Sequence, residues 1–152
     1  MKLAEALQER ADLNRKIEQL NSRICGNVLV QQGEQPNEDP SAMLKELNDC
    51  IDRLGALICQ INQTNCKSTL NGESLTDLIA RKDMLTLRCN RYRDIINAAS
   101  RSVNRIRNTE IKIITAVDVK QLRKEADQTA KELRLVDNKL QQANWTIELI
   151  EN

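Results

Sequence analysis

The chain has no histidine and no phenylalanine, and holds a single tryptophan (Trp145) and a single tyrosine (Tyr92) among 152 residues. The absence of histidine removes imidazole metal centres, histidine general bases and the Glu-x-x-His pairs of di-iron bundles. Four glycines and two prolines are too few for the turns of a β-sandwich or barrel. The core must therefore be built from Leu, Ile, Val, Ala and Met. No apolar run approaches the ~18 residues of a membrane span. The opening Met1-Lys2-Leu3-Ala4-Glu5 carries charge where a secretory signal needs an apolar stretch. Charge of one sign is missing as well: 23 basic and 22 acidic residues leave a net of +1, no overall attraction for nucleic acid or anionic lipid.

Five cysteines (25, 50, 59, 66 and 89) form an odd set without a C-x-x-C pair. They read as reduced thiols of a cytoplasmic protein, small hydrophobes near a core rather than disulfides or metal ligands. No cofactor or metal is expected.

What the chain does have is heptad periodicity. Val119, Leu122, Ala126, Thr129, Leu133, Val136, Leu140, Ala143, Ile147 and Ile150 recur at alternating spacings of three and four, the mark of a helix with one buried edge. Leu3, Ala6, Leu13, Ile17, Leu20 and Ile24 form a first such seam, ended by Gly26. Leu44, Leu47, Ile51, Leu54, Ile58 and Ile61 form a second, with Gly55 a close-packing point within it. Leu78, Leu85, Cys89, Tyr92, Ile96, Ala99, Val103 and Ile106 form a third. Asp39-Pro40, Ser74-Leu75-Thr76-Asp77 and Asp118 with Gln121 supply helix starts.

One domain over 1–152 is expected, with helices at about 2–25, 40–65, 75–107 and 118–150 and short strands at about 27–31 and 110–115. The fold class is all-α: an elongated antiparallel four-helix bundle or coiled coil with a small two-stranded β cap at one end. Asn71-Gly72 is the best tight-turn signal.

No catalytic constellation emerges. There is no nucleophile–base arrangement and no glycine-rich phosphate loop, so an enzyme is not expected. Residues 88–107 hold six arginines (88, 91, 93, 101, 105, 107) against Asp94. Taken alone that is an RNA-facing stripe, but the acidic stretch 34–53 can pair with it across helices and aromatic stacking partners are lacking. A nucleic-acid partner is therefore not favoured. The candidate binding residues are a polar cluster expected at one bundle end: Asn62, Thr64, Asn65, Arg81, Asp83, Asn144, Trp145, Thr146 and Glu148, with Trp145 as the apolar wall. Leucines at 7, 57, 87, 135 and 149 lie beside the seams and offer apolar surface for self-association, with a protein partner also open.

Several stretches resemble a family. Met1-Lys2-Leu3-Ala4-Glu5-Ala6-Leu7, Ile61-Asn62-Gln63-Thr64-Asn65, Ala80-Arg81-Lys82-Asp83, Val117-Asp118-Val119 and Asn144-Trp145-Thr146-Ile147-Glu148-Leu149 look like the small bacterial helical proteins called septicolysin-like. That resemblance implies an all-helical bacterial protein, and its name adds a toxin or haemolysin role as an alternative to a scaffold, a small-ligand binder or an RNA-associated protein.

Overall fold

The computed structural model describes residues 1–104 and 111–151, and over 102–104 the backbone alone. Four long helices dominate: α1 (Leu3–Asn27), α2 (Pro40–Lys67), α3 (Leu75–Asn104) and α4 (Val119–Thr146). Between α2 and α3 lie two short strands, β1 (Thr69–Leu70) and β2 (Glu73–Ser74). The all-α class with a two-stranded sheet is therefore as the composition implies. The chain divides into two compact units, Met1–Thr69 with Ala143–Asn152, and Leu70–Gln142.

In the first unit α1 and α2 form an antiparallel pair. Its core joins Leu20, Met43 and Cys50 to Leu13, Ile17, Ile24 and Leu47. The register is written in charge on the rim of this seam. Glu9 accepts from Arg53 at 2.6 Å, Lys16 meets Glu46 at 2.7 Å, and Arg23 pairs with Glu38. On α1 the three partners are seven residues apart, as rim positions beside a heptad seam should be. Of the acidic stretch 34–53, Glu38 and Glu46 are thus paired with α1, where the sequence suggested the arginines of the third helix. Each pair fixes a carboxylate: the hydrogen bonds from Arg53, Arg23 and Lys16 hold Glu9, Glu38 and Glu46 below the ordinary 4.5.

Those shifts make a pH prediction. A carboxyl whose pKa is lower in the folded state contributes stability that is present above the unfolded value and lost as pH falls through the folded one. The first unit should therefore be progressively destabilised below about pH 4.5, the ordinary glutamate value. Acid titration followed by far-UV circular dichroism checks this, and Glu9→Gln should flatten the acid limb. An unchanged limb in that variant would remove the ladder as its cause.

The second helix corrects half of its expected seam by one position each. Its buried side is Met43, Cys50, Leu57, Ile61 and Thr64, with Leu47 and Leu54 half-buried. Leu44, Ile51 and Ile58, assigned to the seam from sequence, are exposed. Adjacent pairs 43/44, 50/51 and 57/58 are all apolar or thiol, so two stripes share one periodicity and only tertiary contact chooses between them. The space around Gly55 is open, and an added Cβ would touch nothing within 4 Å, so it is not a close-packing point inside this chain.

The second unit pairs α3 with α4. Leu78 and Leu85 are buried on α3, with Cys89, Tyr92, Ile96 and Ala99 half-buried at heptad spacing. Opposite them Thr129, Val136 and Leu140 are buried, and Leu122, Ala126 and Leu133 half-buried. Lys82 meets Asp137 at 2.5 Å, which sets the antiparallel register. The seam positions Val103 and Ile106 lie outside the described side chains.

The expected caps form. Asp39 accepts from the Ser41 amide at 3.0 Å, Ser74 from Asp77 at 3.1 Å and Asp118 from Gln121 at 3.0 Å. Two boundaries differ. Gly26 does not end α1, which runs to Asn27; the Asn27 carboxamide oxygen then accepts from the Glu38 amide at 3.2 Å and ties the loop down. The strands also lie elsewhere than expected. Residues 28–31 and 111–115 form none, residue 110 lies outside the described residues, and the pairing is at Asn71-Gly72 instead. Both turn residues have positive φ (53° and 86°), as a hairpin of this length demands. Residues 28–31 and 112–115 have strand propensity but form no strand among the described residues, and propensity alone does not hold a strand.

Candidate functional site

The polar cluster divides between the two units. Asn62, Thr64, Asn65, Asn144, Trp145, Thr146 and Glu148 are in the first; Arg81 and Asp83 are in the second.

Within the first unit the two chain ends meet. After Thr146 the backbone leaves the helix and forms an antiparallel bridge, Lys2 opposite Glu148. The Leu3 amide donates to the Ile147 carbonyl at 3.0 Å, and the Leu149 amide to the Met1 carbonyl at 2.8 Å. Seam positions 147 and 150 thus end in extended chain rather than in the helix expected to reach 150. Lys2 Nζ lies 2.5 Å from Glu148, and that hydrogen bond holds the Glu148 carboxyl below its ordinary value. Beneath the bridge Leu3, Ala6 and Ala143 are wholly buried.

Thr64 is wholly buried here. Its hydroxyl donates to the Gln60 carbonyl at 2.8 Å and accepts from the Ile150 amide at 3.0 Å. A buried threonine with both hydrogen-bonding functions satisfied is a structural tie. Trp145 is 64% exposed, beside a groove of about 380 Å³ lined by Ala4, Glu5, Gln8, Glu9 and Asp12 of α1. Asn62 is exposed on α2, and Asn65 and Asn144 are half-buried. Thr146 donates to the Ala143 carbonyl at 3.3 Å, closing the last turn of α4.

Within the second unit Arg81 pairs with Glu73 of β2, tying the hairpin to α3, and Asp83 is exposed. Arg81 also borders an open groove of about 410 Å³ between α3 and α4, with Met84, Leu85, Leu135 and Val136 as its floor and Arg88, Lys139 and Glu132 on its rim. Sequence reasoning missed this groove because its lining comes from helices about fifty residues apart. Of the arginine stripe, Arg91 pairs with Asp94 at 3.3 Å, and Arg105 and Arg107 lie outside the described residues.

None of the five cysteines is in a disulfide; Cys50 is buried, and Cys25, Cys59 and Cys66 are exposed. Among the described residues no group of His, Cys, Asp and Glu side chains is arranged to hold a metal ion, and no helix is long and apolar enough to cross a membrane.

The largest feature missed from sequence is apolar. Leu44, Ile51 and Ile58 are 49%, 46% and 39% exposed along a second face of α2. Of the leucines expected outside the seams, Leu87 and Leu135 are exposed, Leu7 is half-buried, and Leu57 and Leu149 belong to the core. The signal for the second face was present as the apolar pairs at 43/44, 50/51 and 57/58.

Comparison with known proteins supplies a family without a chemistry. A functionally unknown conserved protein from Corynebacterium diphtheriae, known from its crystal structure, superposes with a TM-score of 0.93 at 34% identity over 99% of each chain. No curated protein matches the chain. The likeness to septicolysin-like proteins does not hold, because the matching family and the matching structure are both of unknown function and neither points to that group. The stretches that suggested it have local structural duties: Asp118 is a cap, and Ile61 and Thr64 are core positions of α2. A family of unknown function, DUF6847, matches residues 10–149, and the chain belongs to that family.

Proposed function

We propose that this chain is a structural, self-assembling protein whose helices recognise other copies of itself rather than turn over a substrate. The observation that carries this reading is the uncovered stripe of Leu44, Ile51 and Ile58, which repeats every seven residues along α2. Burying three aliphatic side chains that stand about half exposed is worth a few kcal/mol at ~25 cal/mol per Å². A heptad stripe is shaped to accept another helix, whereas a small-molecule site needs concavity and convergent polar groups.

Other features agree. A net charge of +1 gives little repulsion between copies. Leu87 and Leu135 add exposed apolar area in the second unit, 60% and 54% accessible. An RNA-associated role has less support, since Arg91 and Arg81 are engaged within the chain. A small-ligand role has less support too, since the grooves at Trp145 and at Met84 are open. Exposed cysteines outside any disulfide at 25 and 59 suit a reducing compartment such as the cytoplasm.

Sedimentation velocity over a range of protein concentrations tests the reading. Self-assembly predicts a weight-average mass that rises from 17.3 kDa toward a defined multiple as concentration increases. A mass that stays at one chain throughout would end it.

A further inference from the structure

We infer that the assembling unit is a two-fold dimer in which α2 pairs antiparallel with α2 of a second copy, in one register. This deepens the self-assembly reading and rests on it.

At 100° per residue, positions 44, 48, 51, 55, 58 and 62 fall within about 80° of one another on α2, roughly 110° around from the seam that α1 covers. Read as a heptad, Leu44, Ile51 and Ile58 occupy one set of core positions and Asn48, Gly55 and Asn62 the other. All six are exposed. Gly55 is the informative member. Glycine within a helix costs about 1 kcal/mol relative to alanine, and no contact inside the chain accounts for it, because a Cβ there would meet open space. On this stripe it makes a notch into which another helix can set a large side chain.

Charge selects the register. Lys45 and Asp52 flank the stripe on the same side, seven residues apart and opposite in sign, and neither has an ion-pair partner among the described residues. In an antiparallel pair, residues on this flank face the same flank of the other helix. A copy aligned about the midpoint of residues 49 and 50 brings Lys45 against Asp52 of the second copy, twice by symmetry. That alignment also sets Leu44 against Gly55 of the second copy, and Ile51 against Asn48. Sliding by one heptad either way opposes Lys45 to Lys45 or Asp52 to Asp52, so like charges disfavour the neighbouring registers. A self-complementary face of this kind closes at two chains.

The paired stretch, Ser41 to Ile58, is ~27 Å long at 1.5 Å per residue. Such a seam is smaller than the ~800 Å² per partner of a standard stable complex, so a dissociation constant in the micromolar range is expected.

The test is sedimentation velocity on the full chain and variants, each checked for wild-type helicity. Ile51→Glu should raise the dissociation constant at least tenfold, with Leu44→Lys as a second disruption, while Leu135→Glu in the other unit leaves it unchanged. Lys45→Asp and Asp52→Lys should each weaken the dimer by about tenfold. Mixing those two variants, or combining them in one chain, should restore assembly. A wild-type dimer that survives both Ile51→Glu and Leu44→Lys would overturn the seam and leave self-assembly standing. Loss of the dimer with Ile51→Glu, without charge sensitivity or rescue on mixing, would overturn the register. A monomeric wild type would overturn both inferences.

Discussion

Leu57→Ala should destabilise the first unit by about 3 kcal/mol, whereas Ile58→Ala, one residue along the same helix, should cost less than about 1 kcal/mol. The contrast follows from position, not chemistry. Leu57 is wholly buried against the α1 side of α2, and truncation there leaves a cavity. Ile58 is 39% exposed on the uncovered face, so its loss removes little intramolecular contact. Urea titrations monitored by circular dichroism, at concentrations low enough to keep the protein monomeric, measure both variants. Equal costs would mean that α2 is rotated from the orientation described. The same pair separates folding from assembly: Ile58→Ala should weaken self-association while leaving the monomer's midpoint nearly unchanged.

Ending the chain after Thr146 should have a comparably large effect. The deletion removes Leu149, which is 6% exposed, and the backbone bonds that Ile147 and Leu149 make with Leu3 and Met1. It also removes the Ile150 amide from the buried Thr64 hydroxyl. Exposing the side chains beneath, Leu3 and Ala6, brings the expected loss to about 3–5 kcal/mol, within the range of a single large core truncation. Hydrogen exchange should report it in the first turn of α1 and the last turns of α2, with the middle of α3 protected as before. Unchanged protection at Leu3 to Leu7 would show that the bridge does not hold these ends together.

How much was legible in the sequence depends on what each residue had to report. The α4 seam from Val119 to Ala143 could be read residue by residue, because only one of its faces is apolar. The three caps at Asp39, Ser74 and Asp118 were equally plain, since a capping side chain acts on its own next turn. On α2, Leu47, Leu54 and Ile61 were read correctly, and Leu44, Ile51 and Ile58 were each misread by one position because two apolar faces lie side by side. Choosing between them needs knowledge of α1, which no local pattern carries.

The strands failed for a related reason. The Asn71-Gly72 turn contains its own geometry, whereas Val28-Leu29-Val30 and Ile113-Ile114 have strand composition that forms no strand among the described residues. The polar cluster was legible in part. Glu148 does join the chain start and Thr64 the chain end, yet both act as ties, and Arg81 and Asp83 belong to the other unit. The proposed assembly face was visible only as a surplus of apolar residues. It acquired a place once the buried half of that surplus was known.

Native mass spectrometry of the purified protein, with its 260/280 nm absorbance ratio taken on the same sample, tests self-assembly most directly. Self-assembly predicts a species at twice the 17.3 kDa chain mass, with no added mass and a protein-like ratio. A single chain carrying a nucleotide, an RNA or another small ligand would contradict it.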